Sequence, residues 1–193
     1  MTNNNQQMNK SSQNIFLIGP MGSGKTTIGR HLAKMFNLEF HDCDHELEHL
    51  TGASVNLIFD VEGEAGFRIR ETQLLKQLCS KNGVLVATGG GVVCSEENRD
   101  LLRSEGFVIY LKTSVENQLK RLRSDKSRPL LQAKNRRQRL MDMARERNPL
   151  YHATADMVFS TRNSSIHTTA KKLSNAISTQ MDSFKLEKPN ADS

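Results

Sequence analysis

Lys25 and Thr26 close a run with three glycines, Gly19-Pro-Met-Gly22-Ser-Gly24-Lys25-Thr26-Thr27. Gly-x-x-x-x-Gly-Lys-Thr does its chemistry mainly with backbone. Glycine reaches conformations closed to other residues, so successive N–H groups can turn inward around a phosphate. A helix starting at Lys25 adds the partial positive charge of its N-terminus, and the Lys25 ammonium reaches the outer phosphates. The Thr26 hydroxyl is then placed to bind Mg²⁺. Gly22, Ser23, Gly24, Lys25, Thr26 and Thr27 are the candidate contacts to a nucleoside triphosphate.

Three further groups could serve an acceptor. Asp42-Cys-Asp44 ends a second short strand, Leu38-Glu-Phe-His-Asp42. If that end stays extended, the two carboxylates alternate in direction. One could bind Mg²⁺ through water, with the other orienting a substrate hydroxyl. The competing reading is a helix N-cap. Gly89, Gly90 and Gly91 allow backbone to approach a small ligand closely, or simply make a tight turn. Arg68, in Gly63-Glu-Ala-Gly-Phe67-Arg68-Ile-Arg-Glu71, and Arg147, in Arg147-Asn-Pro-Leu-Tyr151, could grip an anion or make surface ion pairs.

These groups need a frame. Ile15–Ile18 is a short apolar run directly before the glycine loop, and the helical pattern after it extends to about Phe36. Further strands are expected at 38–42, 83–87, 107–111 and 157–160. Helical segments are expected at 45–71 (with a break at Gly63–Gly66), 95–104, 114–124, 135–148 (stopped by Pro149) and 165–181. Residues 125–135 read as an exposed loop. Strands separated by helices imply parallel βαβ units, hence an α/β fold: a three-layer αβα sandwich around a five-stranded parallel sheet, of the P-loop NTPase type. Ligands bind at the carboxyl ends of such strands, which gathers the loop, Asp42, Asp44 and the triple glycine at one edge.

The chain has 193 residues, enough for one well-buried domain. Residues 1–13, a polar leader, and 182–193, a charged tail, carry too little apolar surface to offset their ordering entropy and are expected to be disordered. That leaves 14–181 as a single domain. No secretory signal or membrane span is apparent. Three cysteines without metal-like spacing suit a reducing cytoplasm. The net charge of +6 is concentrated between Lys120 and Arg139, where nine basic residues face one acid. Aromatic residues are absent there, which argues against a single-strand nucleic-acid surface and for a basic lid over a polyphosphate.

Taken together, the motifs resemble the shikimate kinases from residue 14 to about 180. The carriers are GPMGSGKTT at 19–27, DCD at 42–44, GEAGFRIRE at 63–71, TGGG at 88–91, RPLL at 128–131 and RNPLY at 147–151. The resemblance implies transfer of the ATP γ-phosphoryl group to the 3-hydroxyl of shikimate, in aromatic amino-acid biosynthesis. It implies a substrate-binding segment at about 42–71 and a lid at about 121–137. Asp44 resembles the aspartate that holds the substrate hydroxyls. Arg68 and Arg147 resemble the pair gripping its carboxylate, beside Gly89, Gly90 and Gly91, with Phe59 and Phe67 around the ring. Thr26 looks like the direct Mg²⁺ ligand, with Asp42 nearby. Arg128 resembles the lid arginine on the phosphates, with Lys25 and Asp44 completing the catalytic set. Arg121 looks like the adenine-stacking residue, with Arg162 a second candidate. The polar ends suggest a monomer. A kinase for another small anionic acceptor and a nucleic-acid-dependent ATPase stay open as alternatives; no recognition motif accompanies the latter.

Overall fold

The computed structural model describes residues 14–123, 135–161 and 165–186, with side chains described to Gln180. Five strands, β1 (Ile15–Ile18), β2 (Glu39–Asp42), β3 (Val84–Ala87), β4 (Phe107–Lys112) and β5 (Met157–Ser160), form one sheet in the order β2-β3-β1-β4-β5. Every pairing is parallel. The helices are α1 (Lys25–Phe36), α2 (Cys43–Thr51), α3 (Val55–Cys79), α4 (Glu96–Glu105), α5 (Val115–Arg121), α6 (Arg136–Thr154) and α7 (Ile166–Leu186). A 3₁₀ turn, Val92–Cys94, precedes α4.

The central strands are apolar throughout because both their faces are covered. Along β1, Ile15 and Leu17 join one core with Ile28 and Leu32 of α1 and Leu173 and Ile177 of α7. Phe16 and Ile18 point the other way, into a core with Phe67, Leu75 and Leu78 of α3, Leu102 of α4 and Tyr151 of α6. A third small cluster, Met21, Leu122 and Leu140, ties the glycine loop to α5 and α6. From β1 the chain crosses to β2 at one edge, and from β3 it crosses back over β1 to β4. The connections diverge above β1 and β3, and that is where a doubly wound sheet opens its ligand crevice.

Three local expectations change. Asp44 is not on an extended strand end: α2 begins at Cys43, and Asp42 caps it, its side chain accepting from the Asp44 and His45 amides. The segment expected to be helical over 45–71 is two helices, α2 ending at Gly52 with φ +65, and α3 starting from the Ser54 cap and running on to Cys79. Within α3 the expected break is present at Gly63, with φ 69 and ψ −177. Pro149 does not stop α6, which continues to Thr154. Proline removes one helical N–H donor. Burial of Tyr151 and Thr154 beyond it, with Thr154 Oγ1 donating to the Leu150 carbonyl at 2.8 Å, holds the last turn. The leader, the tail beyond residue 186 and most of the expected lid lie outside the described residues.

Helix α1 sits close on the sheet because Gly29 has no side chain. A Cβ there would stand 2.8 Å from Phe40 Cε2, 3.1 Å from Leu17 Cδ1 and 3.2 Å from Leu85 Cδ2. Gly29→Val is expected to lower the unfolding free energy by about 1–3 kcal/mol through overpacking. A lower urea midpoint at unchanged slope would register it, and an unchanged midpoint would mean that α1 has room to spare.

Candidate active site

The phosphate loop leaves β1 and turns into α1. Gly22 and Gly24 hold φ of +73 and +98, values that a residue with a side chain adopts only under strain. The loop is braced from within by the Ser23 amide, which donates to the Pro20 carbonyl at 3.2 Å. Lys25 Nζ donates to the Gly19 and Pro20 carbonyls at 2.8 and 3.0 Å. Its ammonium therefore lies across the loop, where it can turn to a polyphosphate.

Thr26, the second residue of α1, reaches the end of β2. Its Oγ1 donates to Asp42 Oδ2 at 2.6 Å. The other Asp42 oxygen accepts from the Asp44 and His45 amides at 3.1 and 3.4 Å. Asp42 thus performs the capping role and the loop-facing role together, and it places Asp44 in the first turn of α2.

Beyond Asp44 opens a cleft of about 340 Å³, lined among others by Thr26, Asp44, Phe59, Arg68, Gly90 and Arg147. Phe59 and Phe67 stack at 4.4 Å and form an apolar wall, and the Arg68 guanidinium lies 5.4 Å from the centre of the Phe67 ring. Arg68 Nη1 donates to Glu71 Oε2 at 2.6 Å and Nη2 to Glu64 Oε1 at 3.1 Å. Arg147, on α6, donates from Nη1 to the Gly90 carbonyl at 3.4 Å, and the Tyr151 hydroxyl donates to the same carbonyl.

The triple glycine has a different reason from the one its flexibility suggests. None of Gly89, Gly90 and Gly91 takes a positive φ. At Gly89 a Cβ would come within 2.7 Å of Glu71 Oε1 and 3.3 Å of Asp44 Oδ1, and at Gly91 it would overlap the Arg68 guanidinium. These positions lack side chains because charged groups from α2 and α3 occupy that space.

Glu71 is the residue that sequence reading missed as a site member, although it closes the motif that carries Arg68. The signal available was an acid three residues after an arginine on a helix. Glu71 is only 2% exposed. Burial pushes its carboxyl above the ordinary value and outweighs the opposing pull of Arg68; Asp44 adds to the rise. Burial works against the Arg68 charge, yet Glu71 and Glu64 outweigh it and Arg68 holds its proton more tightly than usual. The Glu71 Oε1 and Arg147 Nε atoms are buried with no hydrogen-bond partner. Both belong to residues of this cleft, as a site built to receive a polar ligand would leave them.

Of the expected site residues, Gly22, Ser23, Gly24, Lys25, Thr26, Thr27, Asp42, Asp44, Phe59, Phe67, Arg68, Gly89, Gly90, Gly91 and Arg147 gather at the carboxyl edge of β1, β2 and β3 or on helices flanking it. Arg121 ends α5 against the loop, its Nη1 donating to the Gly22 carbonyl at 2.9 Å. Arg128 and Arg162 lie outside the described residues.

The geometry has close counterparts. The family model for shikimate kinase matches residues 21–178. The chain belongs to the shikimate kinase family. Shikimate kinases of Shewanella woodyi and Shewanella denitrificans are 51% and 50% identical to it over 161 residues, 83% of this chain and 94% of each relative. The structure of shikimate kinase from Acinetobacter baumannii in complex with shikimate superposes with a TM-score of 0.85 at 46% identity, over 92% of this chain and 97% of that one. Shikimate kinase from Bacteroides thetaiotaomicron gives 0.79 at 30% identity, over 87% of this chain and 99% of that one. A deoxyadenosine kinase from M. mycoides, at 14% identity and 0.56, shares the fold. Membership makes the chain a phosphotransferase acting on an alcohol group, on a P-loop kinase scaffold.

Because Glu71 fixes the Arg68 fork, Glu71→Gln is expected to raise the shikimate KM roughly tenfold with little change in kcat, the loss of a charge-assisted hydrogen bond. The same variant tests the pH sign. A carboxyl held above its unfolded value binds its proton first in the folded chain, so wild-type stability falls as pH rises from about 4.5 through the folded value. Glu71→Gln should flatten that slope in urea midpoints taken from about pH 4.5 to 7, and an equal slope in both proteins would remove the buried-carboxylate explanation.

Proposed function

We propose that the chain transfers the γ-phosphoryl group of ATP to the 3-hydroxyl of shikimate, giving shikimate 3-phosphate and ADP, within aromatic amino-acid biosynthesis. The observation that carries this is the pairing of a phosphate loop with a cleft whose walls present Asp44, Arg68, Arg147 and bare glycine backbone. Shikimate is a small carboxylated ring with three hydroxyls. An arginine fork suits a carboxylate, and an aspartate suits adjacent hydroxyls.

Phosphoryl transfer needs in-line positioning and compensation of charge, with little covalent help from protein. Asp44 holds the attacking hydroxyl and takes its proton late in the transfer. Lys25 and the amides at the start of α1 balance charge on the moving group, joined by Arg128 from the lid. Arg68 and Arg147 hold the ring by its carboxylate, with Phe59 and Phe67 against its apolar face. Arg121, and Arg162 after the last strand, bound the adenine side.

Thr26 and Asp42 offer adjacent oxygen donors, a hydroxyl and a carboxylate oxygen 2.6 Å apart beside Lys25. All-oxygen donors with few protein ligands suit Mg²⁺. Bound there with the nucleotide, the ion would supply charge neutralisation to the β- and γ-phosphates. The three unpaired cysteines suit a reducing cytoplasm, and we take the working unit to be a monomer, with 14–181 as its domain. Among the described residues no helix is long and apolar enough to cross a membrane.

ADP release coupled to a reporter, measured over shikimate, gluconate and nucleoside monophosphates, tests the assignment. Turnover is expected with shikimate, and preference for another acceptor would overturn it. Arg68→Ala and Arg147→Ala should each raise the shikimate KM roughly ten- to hundredfold, as loss of a hydrogen bond to a charged group does. An unchanged KM in both variants would remove the carboxylate clamp.

A further inference from the structure

The last turn of α5 lies against the phosphate loop. Leu122 is buried there, and a Cβ on Gly22 would stand 3.2 Å from Leu122 Cγ and 3.6 Å from Gln118 Cα. One residue earlier, Arg121 Nη1 donates to the Gly22 carbonyl at 2.9 Å, with the Ser23 carbonyl at 3.5 Å and Thr161 Oγ1 at 3.4 Å. Thr161 is itself buried, directly after β5, and its hydroxyl donates to the Lys112 carbonyl at the end of β4 at 3.2 Å. One guanidinium thus links the ends of two strands to two carbonyls of the loop.

We propose that Arg121 is a positioning residue of the phosphate cradle: it holds the Gly22 and Ser23 carbonyls outward and so aims the loop's amides at the polyphosphate. A trans peptide is planar, and its carbonyl points opposite to the N–H of the following residue. A Ser23 carbonyl turned toward Arg121 therefore commits the Gly24 N–H to the opposite, inner side. The Gly22 carbonyl likewise commits the Ser23 N–H to the inside, where it meets the Pro20 carbonyl at 3.2 Å. Between Gly22 and Gly24 the backbone has little side-chain bulk to stiffen it, and both glycines sit at positive φ. An external anchor supplies the rigidity that this stretch lacks. Such a role is separate from the adenine contact that the family resemblance implies for Arg121. It rests on the assignment of the Gly19–Thr26 loop as the phosphate cradle.

Inorganic tripolyphosphate probes the cradle without the base, and adenosine probes the base without the cradle. Both are to be measured as inhibitors, with Mg²⁺ present, of wild type, Arg121→Ala, Arg121→Lys and Thr161→Val. Arg121→Ala is expected to raise the tripolyphosphate inhibition constant roughly tenfold, the loss of a hydrogen bond from a charged group, whatever the loss of the adenine contact does to adenosine. Lysine keeps the charge but ends one bond short of the arginine nitrogen, so Arg121→Lys should stay impaired. Thr161→Val should shift tripolyphosphate in the same direction, by less, with no charge removed. Weakened adenosine with unchanged tripolyphosphate, or full rescue by lysine, would overturn the inference. Failure of tripolyphosphate to compete with ATP in wild type would overturn the cradle assignment, and the inference with it.

Discussion

One carboxylate joins the nucleotide half of the site to the acceptor half. Asp42 accepts from Thr26 Oγ1 with one oxygen and from the first amides of α2 with the other. Its own position is set by the sheet, where parallel pairing puts Asp42 opposite Ala87. The residues after Ala87 are Thr88 and the triple glycine, so one register fixes both the cap of α2 and the floor of the cleft. A slip of one residue would turn Asp42 to the other face of the sheet and separate Thr26 from α2. The spacing between the phosphate loop and Asp44 is therefore a property of strand pairing, which is stiff, and only secondarily of side-chain conformation.

The acceptor half depends on buried charge. Taking Arg68 and Glu71 partly or wholly out of water costs more than their attraction is sure to return, so stability alone is a weak reason to keep them. Orientation is a better one. Glu71 holds one guanidinium nitrogen and Glu64 another. The fork faces the cleft with its geometry set in advance, and binding need not order a long side chain. The exposed Glu64 contact is the weaker of the two. Gly89 and Gly91 follow from this arrangement, since any side chain there would collide with Glu71 or Arg68.

The sheet and the phosphate loop were legible from local pattern. Ile15–Ile18 and Val84–Ala87 are continuous apolar runs, and the loop between β1 and α1 carries glycines that only a tight turn needs. Asp42 was legible only as two competing roles. The choice between them depended on a helix starting at Cys43: the structure has Asp42 as the cap, with its other oxygen accepting from Thr26. Pro149 misled because a local rule took no account of what lay beyond it: Tyr151, whose burial is a tertiary fact. Glu71 was passed over for a related reason. An acid near an arginine on a helix is usually a surface pair, and nothing in the sequence reveals that this one is buried. The positions of Arg68 and Arg147 were carried by motif, whereas their convergence on one cleft is a product of folding.

Arg147 shows how the core aims a functional side chain. Its neighbour Asn148 accepts from the Tyr110 hydroxyl at 3.1 Å, and Tyr151, one turn on, stacks on the Tyr110 ring at 4.9 Å. Burial pushes the Tyr110 phenol up to about 12 and the Tyr151 phenol higher still, so both remain hydroxyl donors at neutral pH. Tyr151 spends its proton on the Gly90 carbonyl, which also accepts from Arg147. Two buried rings thereby lock the rotation of α6 about its axis, and that rotation decides where Arg147 emerges. This explains why the helix must continue past Pro149: a helix ending at Asn148 would lose Tyr151, and with it the contact that holds the glycine floor and the arginine in one frame.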